Sequence, residues 1–279
     1  MSPDAEPEPT GPSGGYLLCN DAHQAMDRFE AFASLFDPST FRHFVGLGLA
    51  AGWRVWEVGA GGTSVPSHLA ARVGPEGRVL ATDLNVAWAA GVASDPASAP
   101  VEVLQHDVAL DPAPEGPFDL VHARLVLVHV PERDRALANM VSVLRPGGVL
   151  LVEDADPALQ PLSCLEETGP PQVLANRIRR GFRTLLAERG VDLAYGRTLP
   201  RRLRQAGLVD VAADAAFPVC NPACHVLETA TIGLIADQLL DHGIATEAEI
   251  AEHLDNVAAG RLDLTQPPMI SCWGRLPVA

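Results

Sequence analysis

Short apolar runs alternate with amphipathic stretches through the first half of the chain. Five such runs cover residues 53–58, 78–83, 101–104, 118–124 and 149–152. Short apolar runs that are bounded by glycine or polar residues and separated by helical patterns are typical of buried parallel strands. The pattern therefore predicts an α/β fold built on a mostly parallel sheet.

A helix is predicted between the fourth and the fifth of these strands. Apolar side chains recur there on one helical face, at Leu137, Met140, Val141 and Leu144. Pro131 suits the first turn of this helix, and the sequence Arg-Pro-Gly-Gly at residues 145–148 is expected to break it. The fifth strand then leads into Glu153 and Asp154.

The N-terminal part of the chain is predicted to be a tail followed by a helical lid. Residues 1–15 are rich in proline, glycine and acid, so we expect them to be disordered. Residues 16–52 are expected to form two helices, at about 21–35 and 38–52. Asp37 is the expected cap of the second helix, and a proline follows it in the first turn.

Beyond the fifth strand, the pattern predicts four helices and two strands. The helices are expected at residues 170–189, 197–206, 223–242 and 246–259, and the strands at residues 209–217 and 269–276. Thr246 followed by Glu249 is a capping-box pattern. If the last two strands pair with each other, residues 221–268 are an insertion between them. We expect this insertion, with the N-terminal helices, to be the substrate enclosure, and we expect a further helical insertion at about residues 156–207.

Composition limits the partners that the chain can have. The chain has 279 residues, 47% of them hydrophobic, which is enough for one catalytic domain with a modest accessory region. A net charge of −15 argues against nucleic acid, whose phosphates require a basic surface. No cationic leader or membrane-spanning apolar run is present, and five cysteines without disulfide spacing suit a reducing cytoplasm. We expect a cytoplasmic enzyme with a small-molecule partner, no nucleic-acid or membrane partner, and a homodimer as the candidate assembly.

The first two strands carry the clearest chemical signal. Gly59, Gly61 and Gly62 follow the first strand, and Asp83 ends the second. Bare backbone lets a ligand lie against the main chain, and a carboxylate about 20 residues further on is placed to bind a ribose diol. This spacing predicts a site for an adenosine cofactor.

The glycine spacing leaves the kind of adenosine cofactor open. Dinucleotide binders have a third glycine where this chain has Ser64, and methyl-donor binders have one where it has Thr63. The chain contains no lysine, which excludes a P-loop ATP site and a pyridoxal phosphate Schiff base. Asp107, after the third strand, is placed to accept a hydrogen bond from an adenine amino group.

Four segments together resemble the class I S-adenosylmethionine-dependent methyltransferases. They are Glu-Val-Gly-Ala-Gly-Gly at 57–62, Ala-Thr-Asp-Leu at 81–84, the stretch 118–129, and Leu-Arg-Pro-Gly-Gly at 144–148. The likeness runs over residues 53–154 and is closest to the small-molecule branch, which includes quinone-biosynthesis and natural-product tailoring enzymes. It implies that residues 53–279 form a Rossmann-like domain with a seven-stranded sheet in the order 3-2-1-4-5-7-6.

The resemblance also implies S-adenosylmethionine as the cofactor and a set of residues that contact it. The set comprises Tyr16, Arg28, Gly59 and Gly61 along its methionine part, Glu57 beneath the turn, Asp83 at the ribose, Leu84 on the adenine, Asp107 and the amide of Val108 at the adenine edge, and Ala123 and Arg124 near the sulfonium and carboxylate.

A sulfonium donor carries an activated methyl group, so alignment of the acceptor supplies most of the rate and a base is optional. His129 is the first candidate base, because it follows the fourth strand at the edge where open sheets bind ligands. Glu153 and Asp154 are second candidates together with Asp156, and His23 on the lid is a third.

Two further clusters each have two interpretations. Nine arginines occupy residues 177–204, where they either bind a carboxylate or phosphate of the substrate or form a solvated helix face. Cys220, Cys224 and His225 lie close together, but the paired spacing of a zinc site is missing, so no metal is expected.

Three alternatives to methyl transfer remain at this stage. A protein of this fold can bind the same donor and catalyse a non-methylating reaction such as cyclisation. A nicotinamide-dependent oxidoreductase is disfavoured by Ser64 and by the proline-glycine turn before the fifth strand. A non-catalytic partner of another methyltransferase is disfavoured by the near-complete set of cofactor residues.

Overall fold

The computed structural model describes residues 23–92 and 95–278. Within them the chain forms seven strands and seven α-helices. In chain order they are α1 (His23–Gly46), β1 (Arg54–Val58), α2 (Ser64–Val73), β2 (Arg78–Asp83), β3 (Val101–Gln105), β4 (Phe118–Arg124), α3 (Arg133–Ser142), β5 (Leu144–Ala155), α4 (Pro170–Glu188), α5 (Leu199–Gln205), β6 (Val209–Ala216), α6 (Pro222–Asp241), α7 (Glu247–Ala258) and β7 (Met269–Arg275).

The seven strands form one sheet in the order β3-β2-β1-β4-β5-β7-β6. Strands β1 to β5 pair in parallel, whereas β7 pairs antiparallel with both β5 and β6. The fold class and strand order predicted from the sequence are confirmed. All parallel strands end at the same edge of the sheet, which is where an open α/β sheet binds its ligands.

The side chains of alternate residues of the central strands pack into hydrophobic layers on opposite faces of the sheet. Trp56 and Val121 pack with Met140 of α3 on one face. Leu120 and Leu151 pack with Phe44, Leu69 and their neighbours from α1 and α2 on the other face. Because both faces are covered, the central strands are buried on each side, which explains their nearly continuous apolar sequences.

The N-terminal region contains one long helix rather than the two that were predicted. Helix α1 runs through Pro38 without a break. Asp37 was expected to cap a second helix, but its carboxylate instead binds the guanidinium of Arg124 and the hydroxyl of Ser64. The side chain of Asp37 therefore makes contacts with distant residues instead of capping a helix, and α1 continues through this position. Helix α1 begins at His23, a candidate base whose side chain lies outside the described residues. Tyr16 also lies outside the described residues.

The fifth strand is also longer than its apolar run. It begins at Leu144, so the expected turn at residues 145–148 lies inside the strand as an irregularity in its pairing with β4. A Cβ added at Gly148 would lie 2.8 Å from the carbonyl oxygen of Arg145 and 3.0 Å from that of Phe118. Glycine at this position therefore permits a bulge where a turn was predicted.

Helices α6 and α7 lie in the segment between β6 and β7, and α6 packs along α1. The predicted capping box at the start of α7 is present, with Thr246 and Glu249 bonded reciprocally. Among the described residues, no helix combines the length and apolar character needed to cross a membrane.

Candidate active site

A cavity of about 1050 Å³ opens at the carboxyl ends of β1, β2 and β4 and extends between α1, α4 and α6. One end is lined by the glycine turn after β1 and by the tip of β2. The other end is lined by side chains of α4 and α6. The cavity is continuous, so two ligands bound at its ends can touch each other.

The glycine turn brings bare backbone to the cavity wall. Gly59 and Gly61 have φ angles of +64° and +60°, a conformation that side chains disfavour. A Cβ at Gly59 would lie 2.3 Å from Cγ2 of Val126, and one at Gly61 would lie 2.9 Å from Cε1 of Phe29. Both positions therefore require glycine for space as well as for backbone conformation.

Asp83 is held beside this turn. Its Oδ2 accepts a hydrogen bond from the amide of Gly61 at 2.9 Å, and its Oδ1 accepts one from the amide of Asn85 at 3.0 Å. Each carboxylate oxygen has a second lone pair, so the fixed carboxylate still has acceptors for the two hydroxyls of a ribose. The geometry fits the role that the sequence predicted for Asp83.

The surface beyond Asp83 has the shape and polarity of an adenine site. Leu84 is 65% exposed and lines the cavity, and the buried Val108 lies in the same wall. Oδ1 of Asp107 accepts hydrogen bonds from the amides of Ala109 and Leu110 at 2.8 and 3.0 Å. Asp107 therefore orders its own turn with one oxygen and has Oδ2 for an adenine amino group.

The end of β4 contributes an arginine to the cavity wall. Arg124 lines the cavity and is paired with Asp37 at 2.8 Å, and its guanidinium also donates to Thr40 at 3.0 Å. Ala123 is buried in the sheet and does not line the cavity. Arg28 lines the cavity as a buried side chain of α1.

A row of hydrogen-bonded acids and histidines crosses the sheet beneath α1, and the sequence analysis missed it. Oε2 of Glu57 lies 2.6 Å from Nδ1 of His122, whose Nε2 lies 3.2 Å from Oε2 of Glu153. Oε1 of Glu153 lies 3.1 Å from Nδ1 of His43, and Nε2 of His43 lies 2.9 Å from Oδ1 of Asp214. The row begins at the cavity wall and ends at the partly exposed Asp214.

The electrostatics of this row follow from burial and pairing. Burial opposes a charge on His122, but Glu57 and Glu153 outweigh it and raise its pKa to about 9. Burial likewise opposes ionisation of Glu153, yet hydrogen bonds from His122 and His43 hold its pKa far below the ordinary value. Burial raises the pKa of Glu57 even though His122 acts against the shift. A cationic His122 between two glutamates is therefore the stable arrangement at neutral pH.

The candidate bases fall in different environments. His129 lines the cavity, and burial together with Arg28 and Arg133 lowers its pKa to about 4, so its imidazole is neutral at physiological pH. Glu153 and Asp154 are buried and do not line the cavity. Glu153 is used in the row beneath α1, where Ser271 also donates to it at 2.6 Å.

Asp154 lies on the other face of β5 from Glu153. Burial raises its pKa well above the ordinary value, although the amides of residues 126–128 act against this shift. Asp156 is paired with Arg197 at 2.6 Å. These placements argue against the expectation that Glu153 and Asp154 act as bases, because their carboxyl groups cannot meet a substrate in the cavity.

The arginines of residues 177–204 divide between the two interpretations. Four of them form ion pairs, namely Arg177 with Glu249, Arg179 with Glu228, Arg197 with Asp156 and Arg202 with Asp134. Three of the nine line the cavity, namely Arg179, Arg183 and Arg189. The cluster is thus neither wholly a solvated face nor wholly a binding site.

The cysteine and histidine group shows no metal-binding arrangement. Nε2 of His225 bonds the carbonyl oxygen of Leu262 at 2.9 Å, and Cys224 is buried while Cys220 is exposed. Across residues 23–92 and 95–278, no cluster of three or more histidine, cysteine, aspartate or glutamate side chains could hold a metal ion.

Comparison with known proteins finds similarity over the middle of the chain. Residues 56–152 match the family model described as a methyltransferase domain. Methyltransferase str2 of Strobilurus tenacellus is 33% identical over 152 residues, which are 52% of this chain and 50% of that protein. The ubiquinone/menaquinone biosynthesis C-methyltransferase UbiE of Vibrio cholerae serotype O1 is 31% identical over 131 residues, or 43% of this chain and 48% of that protein. The chain spans about half the length of these curated relatives.

Among solved structures, a similar fold occurs in Haemonchus contortus phosphoethanolamine N-methyltransferase 2, in complex with phosphomonomethylethanolamine and S-adenosylhomocysteine. The TM-score is 0.56, and the match covers 92% of this chain and 59% of that chain. At 14% sequence identity, this likeness concerns the fold alone.

Proposed function

We propose that the chain is a class I S-adenosylmethionine-dependent methyltransferase, which transfers a methyl group from S-adenosylmethionine to an O, N or C atom of a small organic molecule. The sequence motifs and the similarity to a methyltransferase domain over residues 56–152 support this proposal. The observation that carries this proposal is the continuous cavity that joins the turn at Gly59 and Gly61, with Asp83 beside it, to the walls of α4 and α6. Such a cavity can hold a donor and an acceptor in contact. A role in secondary metabolism is part of the proposal.

The residues at the first end of the cavity fit an adenosine joined to an amino acid. Asp83 binds the ribose, Leu84 and Val108 contact the adenine, and Asp107 accepts from its amino group. Bare backbone at Gly59 and Gly61 admits the methionine part. Hydrogen bonds from backbone amides fix the carboxylates of Asp83 and Asp107, which supports these two roles.

Helix α1 and the end of β4 complete the donor site. Arg28 and Arg124 supply positive charge for the carboxylate of the cofactor. Glu57 lies below the turn, held by His122. Ala123 supports Arg124 from within the sheet. Tyr16 remains a proposed contact that lies outside the described residues.

The second end of the cavity supports the proposed class of acceptor. Its walls include Phe32, Ile178, Phe182, Leu227 and Ile232, which suit an apolar molecule of modest size. The net charge of −15 supports a small molecule rather than a nucleic acid. Cytoplasmic action without a membrane partner, and assembly as a homodimer, belong to the same proposal.

Positioning accounts for most of the catalysis. When bound, S-adenosylmethionine supplies an electrophilic methyl group, and well-oriented reactants gain on the order of 7 to 11 kcal/mol. Helices α1, α4 and α6 wall the cavity and hold the acceptor against the donor end. His129 lies in the wall as a neutral imidazole, so a ring nitrogen can accept a proton when the acceptor carries one, but its pKa of about 4 makes it a weak base.

Isothermal titration with S-adenosylmethionine, S-adenosylhomocysteine and NAD tests the proposal. We expect micromolar binding of the two sulfur compounds and an affinity loss of at least about tenfold in Asp83→Ala, because charge-assisted hydrogen bonds to the ribose are lost. Asp95→Ala is the matched control, since Asp95 orders an exposed turn through the amide of Ala97. Preferential binding of NAD, or equal affinity in the two variants, would contradict the proposal.

A second measurement separates methyl transfer from the alternative that the bound donor assists a non-methylating reaction such as cyclisation. The enzyme is incubated with candidate acceptors, and S-adenosylhomocysteine is quantified. We expect one molecule of it for each molecule of product. Product without S-adenosylhomocysteine would assign the alternative chemistry.

A further inference from the structure

Two arginines of α4 face the acceptor end of the cavity. Arg179 and Arg183 are four residues apart, which places them one above the other on the same face of the helix. Arg180 is exposed and does not line the cavity. Of these three neighbouring arginines, only Arg179 and Arg183 line the cavity.

The charge of Arg179 is neutralised inside the protein. Its guanidinium lies 2.8 Å from Oε2 of Glu228, and Oε1 of the same carboxylate lies 3.0 Å from Nε2 of His253. All three side chains are buried, with exposures of 6%, 4% and 0%. Buried charges that are paired and hydrogen-bonded in this way form a structural brace between α4, α6 and α7.

Arg183 has no such compensation. No carboxylate among the described residues pairs with it, and its Nε is buried without a hydrogen-bond partner. Burial, with Arg179 nearby, lowers the pKa of its guanidinium, but an arginine remains charged at physiological pH. A positive charge in the cavity wall is thus left unbalanced, in a chain whose net charge is −15.

The surroundings of Arg183 indicate what would balance it. Phe182, Leu186 and Ile232 line the same part of the cavity. Arg189, further along the wall, donates to the carbonyl oxygen of Leu185 at the end of α4. An apolar wall around Arg183 suits a monoanion better than a dianion, because each further negative charge that is buried there costs desolvation free energy.

We propose that Arg183 binds the carboxylate of an apolar organic acid, and that this acid is the methyl acceptor. The inference rests on the proposed function and adds a substrate class to it. The planar guanidinium matches a carboxylate through two parallel hydrogen bonds, while the apolar wall contacts the body of the molecule.

Binding of matched probes tests this assignment. Naphthaleneacetate, naphthaleneacetamide and naphthyl phosphate share an apolar body and differ in charge. Each is titrated into the full chain, with and without saturating S-adenosylhomocysteine. The variants are Arg183→Gln and the control Arg180→Gln, which removes the same charge from an exposed position of the same helix. Thermal unfolding of both variants establishes that they are folded.

We expect the wild type and Arg180→Gln to bind the acid at least about tenfold more tightly than the amide, and Arg183→Gln to lose this preference. Absence of a preference for the acid in the wild type would overturn the proposal, as would a preference that survives in Arg183→Gln. Tighter binding of naphthyl phosphate than of the acid would overturn the choice of carboxylate. Binding of S-adenosylhomocysteine, measured in the same experiment, fails only if the proposed function itself fails.

Discussion

Nδ1 of His122 lies 2.6 Å from Oε2 of Glu57, so a histidine of β4 is bonded to the glutamate that precedes the glycine turn of β1. The two residues are paired in register on neighbouring strands, and their side chains leave the same face of the sheet. Glu153 holds the other nitrogen of the ring. The glycine turn is thereby tied to the centre of the sheet by a cationic His122 between two glutamates.

This arrangement predicts a pH-dependent stability. The pKa of His122 rises from about 6.5 in the unfolded chain to about 9 in the folded one. Its contribution is therefore fully present below about pH 6.5 and is lost as the pH rises through 9, by about 3 kcal/mol at most. Urea unfolding between pH 6 and 10 in wild type and His122→Gln measures the difference. The control His242→Gln, at an exposed site, should keep the wild-type pH dependence. Parallel curves for wild type and His122→Gln would contradict the prediction.

Gly59→Ala should impair cofactor binding more than stability. At Gly59 the new Cβ would lie 2.3 Å from Val126, and a shift of Val126 would alter the cavity wall. Gly74→Ala is the matched control, because Gly74 has the same φ of +64° but open space around it. Both variants should lose about 1–3 kcal/mol of stability from backbone strain, and Gly59→Ala should lose more than Gly74→Ala because Val126 must also move. Only Gly59→Ala should lower the affinity for S-adenosylhomocysteine, measured by titration. Equal affinities in the two variants would count against the predicted position of the cofactor.

The brace behind the acceptor site should be sensitive to loss of its carboxylate. Glu228→Ala leaves Arg179 buried without a counter-ion, which costs about 3–5 kcal/mol. Asp134→Ala breaks the pair with Arg202, in which Asp134 is 84% exposed, and should cost less than about 1 kcal/mol. Chemical denaturation compares the two free energies of unfolding. Similar losses would mean that the buried pair is not the support that its geometry indicates.

His129→Asn should separate catalysis from binding. Loss of a neutral imidazole in the cavity wall removes the proton acceptor, and we expect kcat to fall about 100-fold. The affinity for S-adenosylhomocysteine should change little, because the proposed adenosine contacts do not include His129. Steady-state kinetics measure kcat in wild type and His129→Asn, and titration with S-adenosylhomocysteine measures the affinity as the control. Unchanged kcat with an acceptor that loses a proton would remove His129 from the mechanism.

The sheet and the cofactor turn could be predicted from sequence because their signals are local. Each parallel strand is a short apolar run, and each turn carries its glycine or carboxylate at the strand end. Gly59, Gly61 and Asp83 therefore meet wherever the first two strands lie side by side. The family resemblance and the strand order rest on these same segments.

The features that escaped prediction depend on distant parts of the chain. Asp37 and its proline have the local pattern of a helix start, but Arg124 and Ser64 take the carboxylate and the helix continues. The row from Glu57 to Asp214 joins residues up to 171 positions apart. Polar residues within apolar strand segments, such as Glu57 and His122, were a sequence signal that could have indicated this row. Their alignment on one face could not be derived without the register of the sheet.

We claim that an adenosine cofactor binds between the glycine turn and Asp83, and a crystal structure grown with S-adenosylhomocysteine is the sharpest test. We predict the ribose hydroxyls on the carboxylate of Asp83, the adenine beside Leu84 and Val108, and the sulfur atom facing the part of the cavity lined by α4 and α6. Ligand density at any other site, or an empty cleft at a saturating concentration of the ligand, would contradict the claim.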